Sequence, residues 1–273
     1  ILLFLMLSAL MLGFTPYRSI FASQINFQAR KVISLPTEIE SFEVENRNQE
    51  TMEIKNPHIS TLHKSQITNE DYIIPSSTNV SGIINENITW TLANSPYIVT
   101  GNILVNTSAT LTIEAGVTVK FAGDYYIMIK GRLNACGTWG NMITFSGGIG
   151  IELTGSAIAI INFSIIEYAS YGIYSHHSSE GGGTHLILNS LIRRNYYGIY
   201  SYYSCPNVTF NTIVDNYYGI VAHGITDASR SPVVRYNNIF NNSGYDICIL
   251  HGSYYINATH NYWGTSNTTM IDP

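Results

Sequence analysis

Charge is scarce in this chain. Lys and Arg together number 13 and Asp and Glu 18 in 273 residues, so charged residues make up 11% and the formal net charge is −5. Phosphate polymers are held by dense cationic surfaces, and this balance excludes nucleic acid as an electrostatic partner. Twenty tyrosines in so uncharged a chain also exclude a disordered polar polymer. Cysteine is rare too. Cys136, Cys205 and Cys248 cannot build a disulfide framework, and they fall at different places in the repeat described below. They read as buried or half-buried thiols rather than a metal site. The 3.6-residue period of amphipathic helices is missing, and so is the regular leucine framework of leucine-rich repeats. The glycine-rich stretches 147–155 and 181–183 lack the fixed spacing and following helix of a phosphate cradle, so they read as loops. Outside the first 14 residues there is no long apolar run, which excludes a membrane span in the body of the chain.

What is present is a repeated phrase. It runs Ser164-Ile165-Ile166…Tyr171-Gly172-Ile173-Tyr174-Ser175, then Ser190-Leu191-Ile192…Asn195-Tyr196-Tyr197-Gly198-Ile199-Tyr200-Ser201. It returns as Asn211-Thr212-Ile213…Asn216-Tyr217-Tyr218-Gly219-Ile220-Val221, and in worn form as Asn237-Asn238-Ile239…Asn242…Tyr245-Asp246-Ile247. A half-copy, Asn261-Tyr262-Trp263-Gly264, follows. From Ile166 through Ile192, Ile213 and Ile239 to Trp263 the steps are 26, 21, 26 and 24 residues. Such a period marks a stacked repeat. Short β-branched and aromatic runs punctuated by Gly, Asn and Ser make each copy one coil of a parallel β-helix, with rungs about 4.8 Å apart. Alternation after each glycine points Ile173, Ile199, Ile220 and Ile247 inward, and likewise Ser175, Ser201, Ala222 and Ile249. Asn195, Asn216 and Asn242 should form a ladder whose amides satisfy backbone groups at a corner.

Residues 1–14 match the apolar region of a secretory signal, with cleavage expected near Ala22 or Ser23. Residues 24–71 are polar and unpatterned and read as a linker or irregular segment. The β-helix is expected over residues 72–273. The chain opens on Ile rather than Met and no capping element follows the Trp263-Gly264 rung, so the sequence is expected to continue at both ends. Eight Asn-x-Ser/Thr sequons, starting at Asn79, Asn87, Asn106, Asn162, Asn207, Asn241, Asn257 and Asn267, could carry glycans on an exported chain.

Strands are expected at residues 90–92, 96–99, 102–105, 109–114, 117–121, 127–130 and 142–145. Within them, Ser95-Pro96-Tyr97-Ile98-Val99-Thr100-Gly101-Asn102-Ile103-Leu104-Val105 leads to Leu111-Thr112-Ile113-Glu114-Ala115-Gly116-Val117-Thr118-Val119-Lys120-Phe121. Gly131-Arg132-Leu133-Asn134-Ala135-Cys136-Gly137-Thr138 and Ile143-Thr144-Phe145 follow. With the later Tyr-Gly-Ile copies, these segments resemble the coils of exported prokaryotic right-handed parallel β-helix repeat proteins of the pectin-lyase-like superfamily. That family usually has proline where this chain has Ala115. The resemblance implies an all-β, right-handed, single-stranded solenoid, placed outside the cell, on its surface or in the periplasm. The general handedness of parallel crossovers agrees.

The scaffold hosts many activities, so function has to come from the site. Glu167 and Arg193 hold the same place in consecutive coils, and so do Arg194 and Asp215. Both pairs read as cross-rung ion pairs; they are also the first catalytic candidates should the chain be a polysaccharide lyase or glycoside hydrolase. Such enzymes need clustered acids, whereas Glu152, Glu167, Asp215 and Asp227 are scattered. Calcium would be expected only for a lyase, and no dense Asp cluster for it appears. No other cofactor is implied. His176 and His223 should lie two rungs apart, too far to share a metal; His176, His177 and His185 could meet in a loop. Tyr174, His176, Tyr200, Tyr202 and His223 form an outward strip, and Tyr171, Tyr197, Tyr218 and Tyr245 a second stack. Aromatic faces and hydroxyls of this kind suit sugars. The strip is the binding candidate, with polysaccharide or cell-envelope components as partners. The expected function is a non-catalytic surface or secreted β-helix with a structural, glycan-binding or partner-binding role; the alternative is a polysaccharide-active enzyme.

Overall fold

The computed structural model describes residues 77–176 and 183–265, all within one compact unit. The expected leader (1–23) and linker (24–71) lie outside the described residues, as do residues 72–76, residues 177–182 with His177 and most of the 181–183 glycine loop, and residues 266–273 with the Asn267 sequon. The chain coils as a parallel β-helix. Every strand ladder is parallel, from Thr78–Ile84 on Tyr97–Val105 through to Tyr218–His223 on Tyr245–Leu250. Among the described residues no helix is long and apolar enough to cross a membrane.

Each coil contributes one strand to each of three walls. In the best-defined coil, Ser164–Glu167 lies in the first wall, Tyr171–His176 in the second and Thr184–Leu188 in the third. The nine-residue strand Tyr97–Val105 joins the first two walls at their start, where two separate strands were expected. Thr78–Ile84, Arg132–Cys136 and Ile158–Asn162 are strands that were not foreseen. The stretch 147–155, expected as loop, carries the strand Gly150–Leu153, whose Ile151 and Leu153 are buried in the second wall.

Inward columns hold the fold together. In the second wall Ile103, Ile127, Ile151, Ile173, Ile199, Ile220 and Ile247 stack rung on rung. In the first, Val119, Phe145, Ile166, Ile192, Ile213 and Ile239 do the same, with Trp263 packed against the end. β-Branched side chains suit such columns because their χ1 angle is restricted before folding. Burying each contributes about 1.5–3 kcal/mol. Ile249 keeps its inward register beneath Ala222 yet is 42% exposed, since its strand is the last of its wall.

The corners are built from left-handed residues followed by inward ones, all polar except Ala169. Phe163, Asn189, Phe210, Tyr236 and His260 adopt φ values of 47° to 63° at one corner. The next residues, Ser164, Ser190, Asn211, Asn237 and Asn261, form a hydrogen-bonded ladder. At the other corner Tyr168, Arg194, Asp215 and Asn241 have φ values of 56° to 64° and are followed by Ala169, Asn195, Asn216 and Asn242. Here Asn216 Nδ2 donates to Ile192 O at 3.0 Å, while its Oδ1 accepts from Asn195 N and Nδ2, both at 3.0 Å. The expected asparagine ladder is therefore present, and a second one accompanies it. Together they satisfy corner backbone groups that strands cannot reach.

Candidate functional site: an aromatic outer face

The second wall places the sequence-predicted aromatics together. Strand alternation sends Ile173 and Ser175 inward, so Tyr174 and His176 face out beside the preceding Tyr171. Register then aligns Tyr171 with Tyr197, Tyr218 and Tyr245. The same pairing aligns Tyr174 with Tyr200, and His176 with Tyr202 and His223. Gly172, Gly198 and Gly219 make the close stacking possible. A Cβ at Gly198 would lie 2.6 Å from the carbonyl oxygen of Gly219.

The rings stack along the axis of the coil. Tyr171–Tyr197 and Tyr197–Tyr218 centroids are 4.9 and 5.2 Å apart with interplanar angles of 14° and 11°, and Tyr218–Tyr245 follows at 6.1 Å. The corner residues Tyr196 and Tyr217 form a parallel pair at 5.0 Å, each edge-on to its neighbour Tyr197 or Tyr218. Inside these stacks the faces of the rings are covered by other rings, which stabilises the wall by about 0.5–1.5 kcal/mol per pair. Solvent meets ring edges and hydroxyls there, not ring faces. This differs from the expectation of a row of flat faces, because rungs one strand apart are also one ring apart.

The strip beside the stack is knitted by polar contacts. His176 Nε2 meets Glu152 Oε1 at 2.8 Å, and the Tyr200 hydroxyl meets His223 Nδ1 at 2.7 Å. Burial, and then the neighbouring Glu152 carboxylate, raises the Tyr174 phenol above its ordinary pKa. Tyr200 is raised by burial and by the Tyr171, Tyr174 and Tyr202 phenols. Both stay protonated near neutrality and keep a hydroxyl donor. Burial, then His251, lowers the pKa of His223. The outward Val221 is buried outside the interior cluster, so this side-chain layer shields apolar surface as well.

The charged candidates are distributed differently. Arg193 bonds Glu167 through Nε and Nη2, both at 2.8 Å, making the expected cross-rung pair. Arg194 does not pair with Asp215. Its left-handed corner turns the guanidinium to the preceding rung, where it bonds the Tyr168 hydroxyl and lies over that ring. Asp215 instead accepts from Asn241 Nδ2 at 2.9 Å. Asp227 caps the 3-10 turn Ala228–Arg230 by accepting from Ser229 N–H, and the Ser229 hydroxyl, with that N–H, lowers its pKa. The carboxylates of Glu152, Glu167, Asp215 and Asp227 thus each serve a separate local contact.

His185 corrects the loop expectation. It is an interior residue of the third wall, aligned with Ala159, and not part of a loop with His176. Its Nδ1 lies 2.8 Å from Ser175 Oγ and its Nε2 3.0 Å from Thr154 O. Ser175 Oγ continues to Ser204 Oγ at 2.6 Å. Burial pushes the imidazole down to about 4. A neutral ring therefore donates from Nε2 to Thr154 O and accepts the Ser175 hydroxyl at Nδ1. Strict alternation from the apolar Ile187 already placed His185 inside, a signal the neighbouring glycine run obscured. Cys205 is exposed, contrary to expectation, whereas Cys136 and Cys248 are partly buried and burial raises their pKa values. Among the described residues no group of three or more His, Cys, Asp or Glu could hold a metal ion. No family model, curated protein or solved structure matches the chain.

Proposed function

We propose that this protein is an exported, non-catalytic β-helix of the cell envelope or its surroundings that binds glycan through the second wall. The observation that carries the reading is the in-register tyrosine array: Tyr171, Tyr197, Tyr218 and Tyr245 beside Tyr174, Tyr200 and Tyr202. Hydroxyl-bearing rings on a rigid sheet recognise sugars by edge contacts and hydrogen bonds at small entropic cost. The local pairing of each carboxylate supports binding over hydrolysis, which uses two acids flanking one bond. Export is supported by the apolar run at residues 1–14.

Affinity electrophoresis of the full chain through gels containing cellulose derivatives, mannan, xylan, alginate or pectin tests this directly. Retardation by one of these polymers, lost in the Tyr174→Ala/Tyr200→Ala double variant, is the expected result. Equal mobility in every gel would overturn the reading.

A further inference from the structure

The tyrosine stack is interrupted at one rung. Tyr171 is aligned with Gly150, and Gly150 in turn with Tyr126. Two outward tyrosines are thus held two rungs apart, and the residue aligned between them has no side chain. Gly150 is compelled by its backbone: its φ is +122°, and a Cβ there would lie 1.6 Å from Tyr171 O. The ring contacts of Tyr171 are to Tyr174 on its own rung and to Tyr197 and Tyr200 on the next. Among the described residues no ring approaches it from the Gly150 side. Two rungs span about 9.6 Å at ordinary strand spacing. A six-membered ring placed midway would lie about 4.8 Å from each tyrosine, within the range of about 4.5–7 Å for stacked rings.

One side of this gap carries a carboxylate. Glu152 lies two residues along the same rung and faces out, with Met128 and Tyr174 on the flanking rungs. His176 holds Glu152 Oε1, and no described residue bonds Oε2, which is left to accept hydroxyl protons. A sugar carboxylate would meet this anion unfavourably.

The geometry points to a subsite between Tyr126 and Tyr171 that sandwiches one neutral hexopyranose ring, with Glu152 accepting from its hydroxyls. This rests on the glycan-binding reading above and narrows it to neutral sugars. The test is isothermal titration calorimetry of the full chain with cellohexaose, mannohexaose and an oligogalacturonate hexamer. Binding of a neutral hexaose, weakened about 3- to 10-fold in Tyr126→Ala and in Glu152→Gln, is expected. The Phe210→Ala variant, at a distant corner, should bind as the parent does. Glu152→Gln keeps the size of an outward side chain and an amide oxygen for His176, so it carries the test if Tyr126→Ala fails to fold. A neutral hexaose bound equally by both variants would overturn the subsite and leave the glycan reading standing. Preference for oligogalacturonate would also overturn it. No binding of any probe would overturn the subsite, and the gels above then decide the glycan reading.

Discussion

Acid should weaken this fold through His185. The imidazole is 6% exposed in the interior and its pKa is pushed from 6.5 to about 4. Because the folded value is depressed, the unfolded chain takes up a proton that the fold refuses. Stability from this group is therefore unaffected above about pH 6.5, falls as the pH drops below it, and levels off under about pH 4. The full loss is about 3 kcal/mol, at about 1.4 kcal/mol per unit. Urea unfolding at pH 7.5 and pH 4.5 measures it when compared with His185→Leu. In that variant leucine continues a column containing Leu111 and Leu133, and Ser175 keeps Ser204 as a partner. The neighbouring His176, whose charge also disfavours a protonated His185, is present in both proteins. The parent should lose about 2–3 kcal/mol more than the variant between the two pH values. Parallel losses in the two proteins would refute the buried neutral imidazole.

Three further outcomes follow from the stacking. Asn216→Ala should cost about 1–3 kcal/mol in urea unfolding, because it leaves Asn195 N–H without its acceptor in the interior and takes the amide donor from Ile192 O. Gly198→Ala should destabilise by about 1–3 kcal/mol, since the added carbon meets the Gly219 carbonyl and cannot be relieved by a side-chain rotation. Glu167→Gln should cost less than about 1 kcal/mol and lose even that in high salt, the behaviour of a partly exposed ion pair.

The sequence made the repeat legible because each rung repeats its own physical requirements. Ile166, Ile192, Ile213 and Ile239 could be aligned by eye, and their alignment is the register of the first wall. Asn195, Asn216 and Asn242 were equally clear, since only a small amide serves an inward corner in this way. Three features were hidden for identifiable reasons. The direction of Arg194 depends on a left-handed φ that its residue type does not advertise. His185 lies just after a glycine run, which made an interior position look like loop. The outward order of the tyrosines was readable, but the cover of one ring by the next follows from rung spacing and ring tilt, not from alternation. The gap at Gly150 came from the same source: the glycine was visible, and its alignment between Tyr126 and Tyr171 was not.

The most direct test of the account is whether glycan is bound without being cut. The full chain should be incubated with the polysaccharide that retards it most, and the soluble fraction followed for new reducing ends and unsaturated uronate while bound protein is measured in parallel. Retention on the polymer with no product over time is the predicted result. Product release would contradict the account and direct mutagenesis to Glu167, Arg193, Arg194 and Asp215.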